Sequence, residues 1–469
     1  MNNNKIKIAP ITGRSMLSWN GKKPIEYVEG YPIKLIEILD LFKHGKKVEN
    51  PSYDILKDDW QNILIHGENG EILATLIYLG YKGKIDLIYI DPPFNSNAKY
   101  SRDIKLRGIN NKSSLQQIMY SDIWDTDEYL QFIYERLILM RELLSDRGSI
   151  YVHCDWRSSG YIRLILDEIF GENNFMNEII WHYYAGGAGD KGYAKKHDII
   201  LFYARNKKNV FFVPQKEKKY VDGKKEGTEK LQNATREWLK DDKGVYTFII
   251  KRDTWYIPII NPLAQERKGY PTQKPEELLK QVIFGSSDED SIVADFFCGS
   301  GTTLAVAEKL NRRWIGSDMN KRAIQITSAR LQNVIKDGDV KYPEFSIYNV
   351  NNIKSENQRE NEAKIKIDRI GSKAVIKIDD FTSPAIFEQL NIEGSVWKAN
   401  HDFRSIIDYV LIDNNYDGEV FHIVYSDVPK NRKEMIKGKY EIDLPHDKVK
   451  IAIKIVDLLG EELLMVNEI

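Results

Sequence analysis

The sequence predicts an α/β protein: a parallel sheet covered by helices, interrupted by a basic insertion and followed by a β-rich accessory domain. Three observations predict it. Apolar runs alternate with helix-periodic stretches before residue 206 and again over 269–340, which is the strand–helix–strand order of an α/β sheet. A glycine turn joins a strand to a helix in the second set. Lysine and arginine gather in the segment between the two sets, where the alternation stops.

In the first set, Ile85-Asp86-Leu87-Ile88-Tyr89-Ile90 reads as a buried parallel strand, preceded by an apolar helical stretch around Ile72 to Leu79. Leu130, Ile133, Leu137, Met140 and Leu144 recur at helical spacing, and after Gly148 the run Ser149 to His153 reads as a second strand. Glu178 to Trp181 and Asp198 to Tyr203 supply two more. The separator, Asn206 to Glu266, holds the Lys216-Glu217-Lys218-Lys219 run with Trp238, Trp255 and Tyr256, and is expected as an irregular insertion with its own function. A second strand–helix–strand set spans Ser291 to Asp318. Beyond Val340 the runs Ala374 to Ile378, Tyr409 to Ile412 and Val420 to Tyr425 read as strands, and Val449, Ile451, Ile453 and Ile455 alternate with Lys450, Ala452 and Lys454 as a half-exposed strand does. The expected divisions are 1–50, an N-terminal extension; 51–206, the first half of the core; 207–268, the insertion; 269–340, the second half; and 341–469, the accessory domain.

The chain has 469 residues, 42% of them hydrophobic and 11% aromatic, enough for more than one core. It lacks an apolar run near the roughly 20 residues of a membrane span, and Met1-Asn2-Asn3-Asn4-Lys5 is unlike a signal peptide, so no membrane association and a cytoplasmic location are expected. Cys154 and Cys298 are the two cysteines, and neither has the spacing of a zinc or redox pair. The net charge of −1 conceals a local excess: residues 191–280 hold 21 Lys and Arg against 12 Asp and Glu. A polyanion is therefore expected to dock in the middle of the chain, with Lys207, Lys208, Lys216, Lys218, Lys219, Lys224, Lys225, Lys251 and Arg252 as the phosphate contacts that charge alone suggests.

Asp91-Pro92-Pro93-Phe94 directly follows the strand at 85–90, so a carboxylate, two prolines and a ring stand at the carboxyl edge of a parallel sheet, where ligands bind. An exocyclic amino group on a nucleobase is a poor nucleophile because its lone pair is delocalised into the ring. Hydrogen bonds from that group to Asp91 and to the Pro92 carbonyl would draw the nitrogen toward tetrahedral geometry, and Phe94 offers a face for stacking. Some 200 residues later the strand at 291–294 runs into Asp295-Phe296-Phe297-Cys298-Gly299-Ser300-Gly301-Thr302-Thr303 and a helix. Gly299 and Gly301 allow a tight turn and close approach of a nucleotide-like ligand, and Asp318, closing the next strand, stands where an acidic side chain binds ribose hydroxyls. The turn has no phosphate-binding lysine, so a nucleoside without phosphates fits better than ATP or GTP. His153, Cys154 and Asp155 read as a structural strand end, and no metal site is expected.

These residues resemble the amino-methylating DNA methyltransferases, in the beta subgroup whose catalytic motif precedes the cofactor motif with target recognition between, and are similar to methyltransferase subunits of type II and type III restriction-modification systems. Asp91 to Phe94 looks like the catalytic motif, Asp295 to Thr303 like the cofactor turn, and Tyr270-Pro271-Thr272-Gln273-Lys274-Pro275 like the family's segment before it. The resemblance spans about residues 60–335. It implies a Rossmann-like S-adenosylmethionine-dependent methyltransferase sheet, with Thr272 and Lys274 against the methionine end of the cofactor, Asp318 on the ribose, and Glu68, where the family usually has Asp, toward the adenine. It further implies methylation of adenine N6 in double-stranded DNA by base flipping, because Asp91 stands where cytosine-N4 enzymes carry serine, and a homodimer with a possible restriction-nuclease partner. Cytosine-N4 methylation, methylation of RNA or protein, and a DNA-binding subunit that needs a nuclease are the competing readings. Asn97 to Lys112 is expected as a basic loop able to close over an extruded nucleotide.

Overall fold

The computed structural model describes residues 5–469 except 12, 15, 40, 42–59, 97, 109–113, 185–191, 232–233, 262–263, 265, 339 and 351–360. Its centre is an eleven-stranded sheet in the order Thr254–Tyr256, Phe175–His182, His197–Ala204, Leu144–Cys154, Ile85–Ile90, Ile292–Asp295, Arg313–Asp318, Asn62–His66, Phe345–Val350, Ile33–Leu39, Phe421–Ile423. The six strands from Leu144–Cys154 to Phe345–Val350 run parallel. Both faces of those central strands are buried, which is why their sequences read as continuous apolar runs.

Among the described residues, three helices cover each face. Asn69–Leu76, Thr126–Leu143 and Ser159–Phe170 pack on one side, and Glu276–Ser286, Thr302–Lys309 and Lys321–Asp337 on the other. The helical spacing at 130–140 holds: Leu130, Ile133, Leu137 and Met140 are buried, and the Asp125 carboxylate accepts from Asp127 N at 3.0 Å to start that helix. Among the described residues no helix is long and apolar enough to cross a membrane.

The insertion is not irregular. It forms a four-stranded antiparallel sheet, Lys216–Tyr220, Gly244–Ile250, Ala234–Asp241 and Gly227–Leu231 in that order. Three of its four strands carry charge on both faces, so the apolar alternation that marks a strand is missing from them. The region after residue 341 holds a three-stranded sheet (Glu362–Ile370, Lys373–Thr382, Lys439–Asp443) and a four-stranded one (Tyr425–Asp427, Ile407–Asp413, Lys450–Asp457, Glu462–Glu468). Lys450–Asp457 is not half-exposed: Ile451 to Asp457 are all buried, and the Lys454 ammonium reaches Glu37 of the central sheet at 2.5 Å. One face of that strand meets the C-terminal core and the other meets the central sheet, so both must be covered. The expected divisions at 50 and 340 do not part the sheet either, since Ile33–Leu39 pairs with both Phe345–Val350 and Phe421–Ile423.

Candidate active site

Strands Ile85–Ile90 and Ile292–Asp295 are neighbours, with Val293 opposite Leu87 and Ala294 opposite Ile88. The two motifs, 200 residues apart in sequence, therefore leave the sheet side by side at its carboxyl edge. A cavity of about 690 Å³ opens there, a size suited to a nucleoside-sized ligand, lined among others by Asp91, Pro93, Asp295, Cys298, Gly299 and Asp318.

On the catalytic side, one carboxylate oxygen of Asp91, Oδ2, is paired with the Lys274 ammonium. The other, Oδ1, is buried with no hydrogen-bond partner among the described residues. Pro92 is buried. The Asn95 backbone adopts φ 55°, and the Asp122 carboxylate accepts from Phe94 N (3.1 Å), Asn95 N (2.9 Å), Ser96 N (2.9 Å) and Ser96 Oγ (2.6 Å). Phe94 does not line the cavity. Its ring stacks on the buried His153 imidazole, centroids 5.9 Å apart and planes at 27°, and the Lys274 ammonium lies 5.4 Å from its centroid. One of the two faces that the ring offers for stacking is thus taken by His153, which Tyr89 Oη (2.8 Å) and Asp198 (3.2 Å) hold in place.

On the other side, Asp295 accepts from Thr303 Oγ1 (2.5 Å) and Phe297 N (3.0 Å), and Asp318 accepts from Gly299 N and Asn320 N, each at 2.9 Å. Burial pushes Asp295 up to about 7 and Asp318 up to about 6, the donors only partly offsetting the loss of water. Gly299 has φ 50°, and a Cβ there would stand 3.2 Å from the Tyr270 ring at the cavity wall. Gly301 is different. Its φ is 70° and a Cβ would come within 2.6 Å of Thr327, so it permits close packing of the helix Lys321–Asp337 rather than close approach of a ligand.

The cavity also collects Phe296, Ser300, Thr302, Thr272 and Lys274 as the sequence suggests. Glu68 lines it as the N-cap of Asn69–Leu76, accepting from Glu71 N at 3.1 Å and pairing with Arg136. Sequence reasoning missed Arg136, which also donates to Asn69 Oδ1 at 2.9 Å, together with Met119, Trp124, Phe132 and Tyr270. Trp124 and Phe132 pack with centroids 4.8 Å apart and build an aromatic wall, but they belong to a helix and its approach that carry no motif.

The basic residues divide. Lys207 and Lys208 follow a strand that runs antiparallel to Leu144–Cys154, so they emerge at the amino edge, opposite the cavity, where Arg205 N meets Gly148 O. Lys218 pairs with Asp241, Lys224 with Glu229 and Arg252 with Glu217, and Lys251 donates to Gln281. Lys216, Lys219 and Lys225 are exposed on the insertion. The carboxyl edge instead presents Trp156, Tyr184 and Tyr256, 44%, 84% and 72% exposed, with the Lys195 ammonium 3.1 Å from the Trp156 ring centroid.

A family profile described as DNA methylase matches residues 85–329. The type II methyltransferase M.EcaI of Enterobacter cloacae is 30% identical over 352 residues, covering 61% of this chain and 74% of that relative. The DNA adenine methyltransferase YhdJ of Escherichia coli K12 is 28% identical over 265 residues, 56% of this chain and 81% of that protein. The Mod subunit of the type III restriction-modification enzyme EcoPI, from Escherichia phage P1, is 24% identical over 528 aligned positions, 86% of this chain and 76% of that subunit. Among solved structures, the M1.HpyAVI–SAM complex aligns at 21% identity and a TM-score of 0.36, over 57% of this chain and 98% of that one.

Proposed function

We propose, from the premise that the chain belongs to the DNA methylase family, that it transfers a methyl group from S-adenosylmethionine to the N6 amino group of adenine at a specific site in double-stranded DNA. The observation that carries the reading is Asp91 Oδ1: a buried acceptor without a partner among the described residues, on the wall of a nucleoside-sized cavity and beside the turn 295–303. The residues present fit the methyl donor. Asp318, Asp295, the 298–300 segment and Thr302 supply acceptors and donors, Glu68 with Arg136 supplies a polar end, and Trp124, Phe132 and Phe297 supply apolar walls.

When bound, S-adenosylmethionine supplies an electrophilic methyl group. The rest of the task falls to the chain. Asp91 Oδ1 accepts one hydrogen of the amino group and the Pro92 carbonyl the other, which localises the nitrogen lone pair for in-line attack. Lys274 holds Oδ2, so the carboxylate presents Oδ1 in one orientation. The nitrogen gains the methyl and loses one proton, for which Asp91 Oδ1 is the positioned acceptor. A base in a duplex must first leave the stack, at a cost of a few kcal/mol, and the exposed Trp156, Tyr184 and Tyr256 with Lys195 form the surface on which the opened DNA rests. Lys216, Lys219 and Lys225 of the insertion contribute phosphate contacts at longer range. A homodimer on DNA and a nuclease partner belong to the same reading; a fully active monomer at micromolar concentration in light scattering would remove the dimer.

The test is single-molecule sequencing of unmethylated plasmid DNA after incubation with the protein and S-adenosylmethionine, beside an Asp91→Ala control. N6-methyladenine confined to one short motif and absent in the control is the expected outcome. N4-methylcytosine would overturn the base assignment and keep the mechanism.

A further inference from the structure

Among the described residues, the basic segment after the catalytic turn is not a free flap over the cavity; 97 and 109–112 lie outside them. Ala98–Lys105 and Ser114–Asp122 form an antiparallel hairpin, with Ala98 opposite Asp122. Both of its feet stand at the cavity. One follows the turn that holds Asp91 and Pro93, and the other carries Met119 and leads to Trp124, all four of them cavity-wall residues. Its far arm is built into another part of the molecule: Ile104, Leu106 and Leu115 are buried in the same apolar cluster as Phe381, Ile412 and Ile453 of the C-terminal region.

Polar contacts repeat that attachment. Arg107 N donates to Ser405 O at 2.9 Å, Gly108 N to Arg432 O at 3.0 Å, and Gln117 Nε2 to Leu459 O at 2.5 Å. Asp408 pairs through one oxygen with Arg107 of the hairpin and through the other with Arg322, at 2.6 Å, on the helix that follows Asp318. The Asp408 side chain of the C-terminal region thus joins the hairpin to the cofactor half. At the hairpin's foot, Asp122 gathers three successive backbone N–H groups and the Ser96 hydroxyl, across a turn whose Asn95 is in the left-handed region. L-residues other than glycine adopt that region at a cost, so the conformation must be held by its surroundings.

We propose that Asp122 is a positioning residue for the turn Asp91–Ser96, and that the C-terminal region, through the hairpin, holds that turn at its working distance from the cofactor side. The proposal rests on reading Asp91–Phe94 as the catalytic turn. It gives residues 361–469 a part in the reaction although none of their side chains lines the cavity.

The experiment compares the full chain with its Asp122→Ala, Asp122→Asn, Arg107→Ala and Asp91→Ala variants. It reads the single-turnover methylation rate at saturating DNA, the S-adenosylmethionine Kd by calorimetry, and amide exchange of residues 94–100. Asp122→Ala is expected to slow methylation at least 30-fold with Kd changed less than threefold. Asp122→Asn, which keeps one acceptor, should lose less. Arg107→Ala should slow the reaction three- to tenfold and speed exchange at 94–96. A folded Asp122→Ala variant that methylates within twofold of the parent overturns the proposal, as does a loss of rate matched by an equal loss of cofactor affinity. If Asp122→Ala does not fold, Arg107→Ala decides: parental rate and exchange overturn the proposal. Parental activity in Asp91→Ala would instead show that the turn is not catalytic, a failure of the underlying reading visible independently of Asp122.

Discussion

The two turns at the carboxyl edge leave neighbouring strands of one sheet, yet they are held in opposite ways. The turn 295–303 is stabilised locally: Asp295 binds Phe297 N and Thr303 Oγ1, and Asp318 binds Gly299 N and Asn320 N, all within 26 residues of chain. The turn 91–96 is stabilised from afar, by Lys274 at a separation of 183 residues, Asp122 at 26 to 28, and His153. A locally closed turn is formed before any ligand arrives and suits a binding role. A turn assembled from distant elements can be oriented separately from the binding turn beside it, which suits a group whose placement decides a rate.

Asp91→Asn offers the largest way to break this division. Amide nitrogen in place of one carboxylate oxygen removes the charged acceptor, and the methylation rate is expected to fall about a thousandfold or more, near the upper range for loss of one such group. The S-adenosylmethionine Kd should move less than threefold. Rate and affinity falling together would mean that the two turns are not separable.

Asp318→Ala is the converse. It removes the acceptor for Gly299 N and Asn320 N, so a 30- to 100-fold weaker cofactor Kd is expected, about 2–3 kcal/mol. The saturating rate should stay within threefold. Steady-state kcat and KM for the cofactor read both at once.

Gly301→Ala tests whether that glycine serves packing. Its backbone is left-handed and the new Cβ would meet Thr327 at 2.6 Å, so a loss of about 2–3 kcal/mol in stability is expected from conformation and overpacking together. Thermal unfolding of the cofactor-free protein measures it. Restoration of much of that loss by a second change, Thr327→Ala or Thr327→Ser, would separate packing from ligand contact.

The same contrast explains what was legible in the sequence. The cofactor side was readable because its parts are close in sequence and each residue type implies its role: glycine at positive φ, an acid closing the next strand, hydroxyls at a helix start. Asp91 to Phe94 was readable as a motif, but not the fate of its ring, since nothing near Phe94 announces that His153 lies beneath it. Asp122 lies beyond the stretch read as a basic loop, Asn97 to Lys112, with no motif around it, and its contacts with the turn arise only when the chain folds back. Charge was a poorer guide. It singled out the insertion, but Lys218, Lys224 and Arg252 are matched by Asp241, Glu229 and Glu217 of the same small sheet. Lys207 and Lys208 lie at the far edge because the strand before them runs antiparallel, a direction that periodicity does not encode.

The smallest expected effect is also the one that tests the local turn as an electrostatic device. Asp318 and Asp295 are held near 6 and 7 by burial, above the ordinary range of about 4. Each therefore keeps a proton in the folded, cofactor-free chain at pH values where the unfolded chain has lost it. Their contribution to stability is present below about pH 4 and declines as pH rises through 6 and 7. A ligand that donates hydrogen bonds to Asp318 prefers the ionised carboxylate, the stronger acceptor. Binding at pH 6 should then release a fraction of a proton, and affinity should weaken about tenfold between pH 7.5 and pH 5, where a group of pKa near 6 is roughly one-tenth ionised. Calorimetry at pH 6 in two buffers of different ionisation enthalpy measures the release, and Asp318→Asn should reduce it. Proton uptake on binding would mean that the neutral carboxyl is the form the ligand selects, and that the turn donates where it has been taken to accept.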